Sequence, residues 1–492
     1  MLNRIRASGP LLWALAVLVA GRIATLGLYP LLDTTEARYA EIARKMVELN
    51  DWITPWFDYG VPFWGKPPLS FWMTAVSFKL FGINEFAARL PHFLGALLVT
   101  WLVWDWSNRR SRQEARYSAA LLAGSVVFFI AAGAVMTDMA LVLGITLAMR
   151  GFWLGLLHGT DAERGRERWL LFLGLVVGLL AKGPLVLVLT GVPIMLWTLL
   201  TGNVAKVLRN LPWLRGGLLT IVLAGPWYVL AERHTPGFLN YFLVGEHWHR
   251  FVTSGWKGDL YGNPHAYLRG TIWLYAVGGC LPWTLLMFVV PLLRGQAAKS
   301  ISHSDPVEKS WRLFLLLWGL TPCVFFTFSG NILWTYVLPG LPALALLGAT
   351  WLDSQALALR ANQLLACGLG LTMIAFAAFL YDLQIGGQNE VRSQKSLIVD
   401  YASRRTGGEA LIYLRLRPYS ATFYSRGKAD LARDVTQLTA KLAQKPAFVA
   451  VKDFDLPKLT PELRQKLKLL AHHGAYELMY AESAGKEQAS QR

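Results

Sequence analysis

Charge is what this 492-residue chain has least of: only 16% of its residues are Asp, Glu, Lys or Arg, against 54% apolar. A soluble domain carries roughly a quarter charged residues, so the deficit excludes disorder, a coiled coil and a cytoplasmic enzyme and leaves a polytopic membrane protein. Cysteine is nearly missing. Cys280, Cys323 and Cys367 lie in apolar runs with no CxxC and no pairing spacing, which excludes a disulfide framework and a structural zinc site. No Gly-rich phosphate loop marks a nucleotide site, and neither internal repeats nor low-complexity tracts stand out. Acidic residues are scarcer than basic ones, 31 against 48, for a net charge of +17. In a membrane protein that balance points to cytoplasmic loops obeying the positive-inside rule, not to nucleic acid.

What is present in abundance is apolar sequence. Runs of spanning length fall near 10–32, 86–106, 117–135, 138–157, 168–181, 184–201, 216–231, 270–293, 311–328, 333–351 and 363–382, about eleven helices. Arg4 and Arg6 before Leu11 mimic a secretory signal, but apolar character resumes after Arg22 and reaches Leu32, which predicts an uncleaved first helix. The basic residues then fix orientation. Arg4 and Arg6, Arg109 to Arg116, Arg164 to Arg168, Lys206 to Arg215, and Lys299 to Arg312 share one side if the spans alternate, and that side is the cytoplasm, N-terminus included. Segment 33–85, the turns at Asp138, Lys182 and Asn331, the loop 232–269 and the tail 383–492 all face outward.

After Tyr381 charge returns and apolar runs shrink to strand length. Ala410 to Leu416, Ala447 to Lys452 and Ala475 to Tyr480 read as strands, and Val435 to Ala443 and Pro461 to Leu470 as helices, the second capped by Thr460. The expectation is a membrane domain over 1–382 and a small α/β domain over 383–492, outside the membrane, with His472 and His473 as surface residues on a loop.

The outer side holds the candidate chemistry. In Asp33-Thr34-Thr35-Glu36-Ala37-Arg38-Tyr39, Asp33 and Glu36 fit a capping pair at a helix start. Tyr39, Ile42, Ala43, Met46 and Leu49 repeat with helical spacing, which predicts a helix lying on the membrane surface with Glu36, Arg38, Glu41, Arg44 and Lys45 on its polar face. Downstream, Lys66 sits in Gly65-Lys66-Pro67-Pro68, where glycine and proline stiffen the backbone. A rigid cation beside the membrane suits a phosphate, while the aromatics around it fit an interfacial belt.

Further along, Asp138 starts an apolar run, either as a favourable charge at a helix N-terminus or as a functional carboxylate. Lys182 in Ala181-Lys182-Gly183-Pro184 is a tight turn or a phosphate ligand; the positive-inside rule disfavours a plain outer lysine. Glu246, His247, His249 and Arg250 crowd one outer loop, with His265 beside Pro264 further on. Glu and His together ligate zinc, but a site needs three or four ligands, so an ordinary polar interface is preferred and any metal stays unknown. Tyr336 fits either an aromatic belt or substrate contact.

Thr35-Glu36-Ala37-Arg38-Tyr39-Ala40-Glu41-Ile42-Ala43-Arg44, Asp51-Trp52-Ile53-Thr54-Pro55 and Lys66-Pro67 resemble the first outer loop of the aminoarabinose lipid A transferase and protein O-mannosyltransferase superfamily. Met136-Thr137-Asp138, Ala181 to Pro184, Pro226-Trp227, Tyr241 to Phe251, Leu281-Pro282-Trp283 and Thr335 to Pro339 are similar to it in the same order; the tail is only loosely similar. The resemblance implies a GT-C fold and an inverting transferase that moves a sugar from a polyprenyl phosphate to a membrane lipid or envelope glycan on the periplasmic face of a bacterial inner membrane. It implies Asp33 or Glu36 as base, assisted by Asp138, and Arg38, Tyr39, Lys66, Lys182, Glu246, His247, Arg250 and Tyr336 as substrate-binding residues. The family has Asp directly before the glutamate matched by Glu36, and this chain has Thr35, so the base is either Asp33 or Glu36. Gly65 stands where lipid A-modifying members have a glutamate linked to metal, which leaves a divalent metal open and no cofactor named. Transfer to protein is the enzymatic alternative; a transporter or flippase, which calls for inverted repeats and mid-membrane ionisable groups, is the alternative of another class.

Overall fold

The computed structural model describes residues 2–157, 160–262, 266–286, 305–354 and 358–482. His265, Lys299 and the last part of the span expected at 270–293 lie outside them. The chain opens with α1 (Leu2–Ala24), α2 (Thr35–Glu48), α3 (Leu69–Phe81), α4 (Glu85–Asn108), α5 (Arg112–Ala123) and α6 (Val126–Ala131). It continues with α7 (Asp138–Leu157), α8 (Asp161–Lys182), α9 (Leu185–Leu200), α10 (Val204–Asn210) and α11 (Trp213–His234). Long helices follow at Pro306–Thr327 and Ala358–Gln384, and a 3-10 turn at Trp334–Gly340 runs into Leu341–Ser354. Among the described residues, six stretches are long and apolar enough to cross a membrane: Glu85–Asn108, Asp138–Leu157, Trp213–His234, Pro306–Thr327, Trp334–Ser354 and Arg360–Gln384.

Helices α7 and α8 pack antiparallel with their backbones in contact. A Cβ on Gly144 would lie 2.7 Å from the Gly174 carbonyl oxygen, and one on Gly174 2.4 Å from that of Gly144. Small residues allow such approach where no water drives helices together. Part of the tryptophan content fills the interior and not a belt: Trp106, Trp153, Trp197, Trp311 and Trp318 are all fully buried. Trp153 packs 4.8 Å from Trp311 and 5.6 Å from Trp197, ring centre to ring centre. Arg150, inside the span expected at 138–157, pairs with Asp105 at 2.7 Å and Glu167 at 3.1 Å. Arg22 instead donates to the carbonyls of Phe129 and Ile130, each at 3.2 Å.

The tail holds a five-stranded sheet. Its strands are β3 (Ala410–Leu414), β4 (Asp430–Ala432), β5 (Ala447–Lys452), β6 (Leu467–His473) and β7 (Tyr476–Ala481), after a small antiparallel pair β1 (Trp56–Asp58) and β2 (Val61–Pro62) near the membrane domain. The order is β4-β3-β5-β7-β6, with β3 parallel to β4 and β5, and β7 antiparallel to β5 and β6. Helix Tyr419–Tyr424 docks this unit on the membrane domain. The Tyr424 hydroxyl donates to Glu85 at 2.9 Å and accepts from the Leu31 N–H, while Arg417 reaches Asp58 and Lys395 reaches Glu85, each at 2.6 Å.

Several expectations are corrected. The first helix stops at Ala24 and the chain turns before Pro30, so 10–32 is not one helix. The run 117–135 breaks into α5 and α6 at Gly124, against which Trp283 and Leu369 pack too closely for any Cβ. Helix α3 lies inside what reads as an outer segment. Helix α2 is not a surface helix: Glu36, Glu41, Arg44 and Lys45 are buried along with its apolar face. Its polar face is covered by its own neutralisation, Arg44 holding Glu41 and Glu48 at 2.6 Å and Lys45 donating to the Phe57 carbonyl at 2.8 Å. In the tail, the helix expected to reach Leu470 ends at Lys466, and His472 and His473 belong to β6, because 467–473 pairs with β7.

Candidate active site

The turn between α1 and α2 sets the position of the first two carboxylates. Helix α2 starts after Thr34, with no side chain capping it, so Asp33 and Glu36 do not form the expected capping pair. Glu36 turns inward and meets Arg89 of α4 in a two-point pair, Nε to Oε1 at 3.0 Å and Nη2 to Oε2 at 2.9 Å. The backbone N–H groups of Val135 and Leu32 also donate to it, at 3.2 and 3.3 Å. Burial would raise its pKa, but Arg89 and these donors outweigh that and hold it below the usual carboxylate range. Arg89 spends its remaining donors on the carbonyls of Leu26, Tyr29 and Pro30, each at 2.8 Å. Glu36 is thus the anchor of the turn, with four donors on two oxygens.

Asp33 has the opposite environment. Its carboxylate accepts from the Ser420 N–H at 2.9 Å and from the Ser420 hydroxyl, and its own N–H donates to the Arg392 carbonyl at 2.8 Å. Burial raises its pKa in spite of these donors.

Both line a cavity of about 960 Å³, and so do Arg38, Tyr39, Lys66, Asp138, Lys182, Glu246, Arg250 and Tyr336. One chamber therefore gathers ten of the eleven residues singled out in the sequence. The eleventh, His247, stands behind the wall, its ring nitrogens facing the carbonyls of Phe242 at 2.7 Å and Lys182 at 3.2 Å. Burial lowers its pKa, against the hydrogen bonds to Phe242 and Lys182 that raise it. The ring braces a turn only glycine fits: Gly183 has φ +77°, and a Cβ there would come within 2.6 Å of the Phe242 ring.

Lys66, Lys182 and Arg250 in the chamber are each paired with a carboxylate, while Arg22, Arg38 and Arg392, which also line it, have no ion pair among the described residues. Lys66 donates to Glu246 at 2.9 Å, Arg250 approaches the same carboxylate at 3.1 Å and Asp259 at 3.4 Å. Against the burial that would raise it, Lys66 and Arg250 hold Glu246 down to about 2. Lys182 meets Asp138 at 2.7 Å and lies 5.0 Å over the Tyr336 ring. Arg38 has no carboxylate partner among the described residues: Nη1 donates to the Tyr261 carbonyl at 2.6 Å, and Nε is buried without an acceptor.

Among the described residues no group of three His, Cys, Asp or Glu side chains could hold a metal ion. Glu246 is committed to its two cations, and His247 to its carbonyls, so the residues present do not fit a metal at that loop. Sequence reasoning also missed residues. Arg89 carries a legible signal, a lone cation inside the span predicted at 86–106. Tyr261 carries none, though its hydroxyl accepts from the Trp64 N–H at 3.0 Å and donates to the Pro62 carbonyl at 2.8 Å, fixing the loop before Lys66. Arg392, Tyr419 and Ser420 come from the tail, some 350 residues or more away in sequence from Asp33, and nothing local announces them. The Asp51-Trp52-Ile53-Thr54-Pro55 motif proves to be scaffold: Asp51 accepts from the N–H groups of Ile53 and Thr54 and from the Trp56 indole.

Residues 65–229 match the family model described as dolichyl-phosphate-mannose-protein mannosyltransferase. An undecaprenyl phosphate-alpha-4-amino-4-deoxy-L-arabinose arabinosyl transferase of Erwinia tasmaniensis is 30% identical over 359 residues, 70% of this chain and 60% of that protein. One from Pseudomonas fluorescens is 29% identical over 411 residues, 77% of this chain and 64% of its own. The match thus spans about three fifths of the length of these curated relatives. The crystal structure of ArnT from Cupriavidus metallidurans bound to undecaprenyl phosphate superposes with a TM-score of 0.79 at 20% identity, covering 95% of this chain and 97% of that one. The fold is therefore of the GT-C type with a small C-terminal α/β unit, and the chain resembles, in sequence and in architecture, the aminoarabinose lipid A transferase and protein O-mannosyltransferase superfamily.

Proposed function

We propose that the chain is an inverting glycosyltransferase that moves a sugar from a polyprenyl-phosphate donor to a lipid A-like lipid or other envelope glycan, working on the periplasmic face of a bacterial inner membrane. In this reading about eleven spans start from a cytoplasmic N-terminus, 1–382 carries the membrane machinery, and 383–492 is a periplasmic unit leaning on the site. The observation that carries it is the Arg38 guanidinium: a cation on the chamber wall without a carboxylate, beside Lys66, Arg250 and Lys182, is a prepared place for an anion. The named activity of the arabinosyl transferases and the undecaprenyl phosphate bound in the structural relative support a lipid phosphate as that anion.

The chemistry follows from the two carboxylates. Asp33, on the chamber wall with its pKa raised, is the base; Glu36, saturated by Arg89, is not. An acceptor hydroxyl gives its proton to Asp33 while its oxygen forms a bond to the anomeric carbon. The bond from that carbon to the phosphate oxygen breaks on the opposite face, so the configuration inverts. The electron pair leaves on polyprenyl phosphate, whose growing charge Arg38, Lys66 and Arg250 stabilise, with Lys182 held in reserve by Asp138.

The test is transfer of radiolabel from polyprenyl-phosphate sugars to an envelope extract by the purified protein in lipid. Wild type should label a lipid fraction, and Arg38→Met should lower transfer at least tenfold. Label appearing only in protein would move the reading to a protein O-glycosyltransferase. Equal transfer by Arg38→Met would remove the anion site on which the proposal stands.

A further inference from the structure

Arg392, Leu416 and Tyr419 of the tail line the chamber, and the contact that the neighbouring Ser420 makes with Asp33 is more specific than docking requires. Helix Tyr419–Tyr424 presents Ser420 so that its N–H and its hydroxyl both donate to the Asp33 carboxylate. Ser420 is wholly buried, and the same hydroxyl accepts from the Gln394 N–H at 2.9 Å, which fixes its rotamer. Docking has its own contacts elsewhere, the Arg417–Asp58 and Lys395–Glu85 pairs and the Tyr424 hydroxyl. We propose that Ser420 is a positioning residue for the transfer reaction: the C-terminal unit completes the active centre by holding the Asp33 carboxylate in place and setting the pH at which it can accept a proton. This rests on Asp33 being the base.

The sign is fixed by chemistry. A hydroxyl that donates to a carboxylate favours its ionised form, so Ser420 works against the burial that raises Asp33. Other groups around Asp33 leave the titration window below neutrality to it. Tyr419 on the same helix, Tyr413 on β3 and Tyr476 on β7 are pushed up by burial, and Glu36 on α2 is held low. Arg38 and Arg392 line the chamber with Asp33.

Removing the hydroxyl should therefore move the acid limb of the kcat/KM profile upward. In Ser420→Ala, measured on the full chain in lipid, the limb is expected to rise by about one pH unit, with the plateau at high pH recovered. Ser420→Thr, which keeps the hydroxyl, should restore the limb. The same shift should be visible without turnover, as the pH at which the infrared band of the protonated Asp33 carboxyl disappears; Asp33→Asn identifies that band. Arg417→Ala loosens docking and leaves the hydroxyl, so its limb should stay with wild type. An unmoved limb and band in Ser420→Ala, or an equal shift in Arg417→Ala, would overturn the inference. If Asp33→Asn keeps full transfer, it is the base assignment that fails; if Asp33→Asn falls and Ser420→Ala stays put, only the role of Ser420 does.

Discussion

Two carboxylates three residues apart should separate cleanly into a chemical and a structural one. Glu36→Gln replaces the anion facing Arg89 by a neutral amide. Breaking a buried pair by removing one partner costs about 3–5 kcal/mol, since it strands a buried charge. Three carbonyls, those of Leu26, Tyr29 and Pro30, still receive the guanidinium, so the lower end, about 3 kcal/mol, is expected. If the pair is intact until the unfolding barrier is crossed, that loss shortens the half-life of the folded protein roughly a hundredfold, at about 1.4 kcal/mol per factor of ten. Asp33→Asn should leave that half-life near wild type and cut transfer about 10²–10⁴-fold, the span of general-base help. The assay is the fraction of monodisperse protein remaining after timed incubation at one elevated temperature, read by size exclusion, beside label transfer at low temperature. A Glu36→Gln protein as durable as wild type but inactive, together with an active Asp33→Asn protein, would refute the division.

Asp33 also sets the pH profile: the base must be ionised, and burial raises its pKa, so transfer should rise with pH through a midpoint above the ordinary value of 3.8, and a midpoint below that would contradict the placement. Glu246 acts in the other sense. Its folded pKa of about 2 lies below the ordinary 4.5, so it stabilises the fold above 4.5 and loses that contribution as pH falls toward 2; Glu246→Gln should flatten the acid arm of a stability titration. Lys182→Met alone should weaken the protein more than Lys182→Met with Asp138→Asn, because the single change leaves Asp138 buried and unpaired; a thermal-stability cycle with no coupling would count against the pair. Gly144→Leu should destabilise by more than the usual 1–3 kcal/mol of overpacking, since backbone stands where the side chain would go, and normal expression and melting would disprove the close α7/α8 seam.

The membrane class, the position of most long helices and ten of the residues that line the chamber were legible in the sequence alone. Those are local or compositional properties: an apolar run is apolar wherever it lies, and a lysine locked between Gly65 and Pro67 is conspicuous without a partner. Pairing was decided only in three dimensions. The sequence leaves Asp33 and Glu36 equivalent, and it is Arg89, on another helix, that makes Glu36 a saturated anchor, while burial raises the pKa of Asp33 in spite of the donors that Ser420 brings from the tail. Helix α2 reads as a surface helix because its pattern is amphipathic, and it is buried because Glu41, Arg44 and Lys45 neutralise one another or meet the β1 backbone and so lose the need for water. In a low-dielectric chamber the state of a charged group depends on what faces it within a few ångströms, and that neighbourhood is assembled from segments hundreds of residues apart.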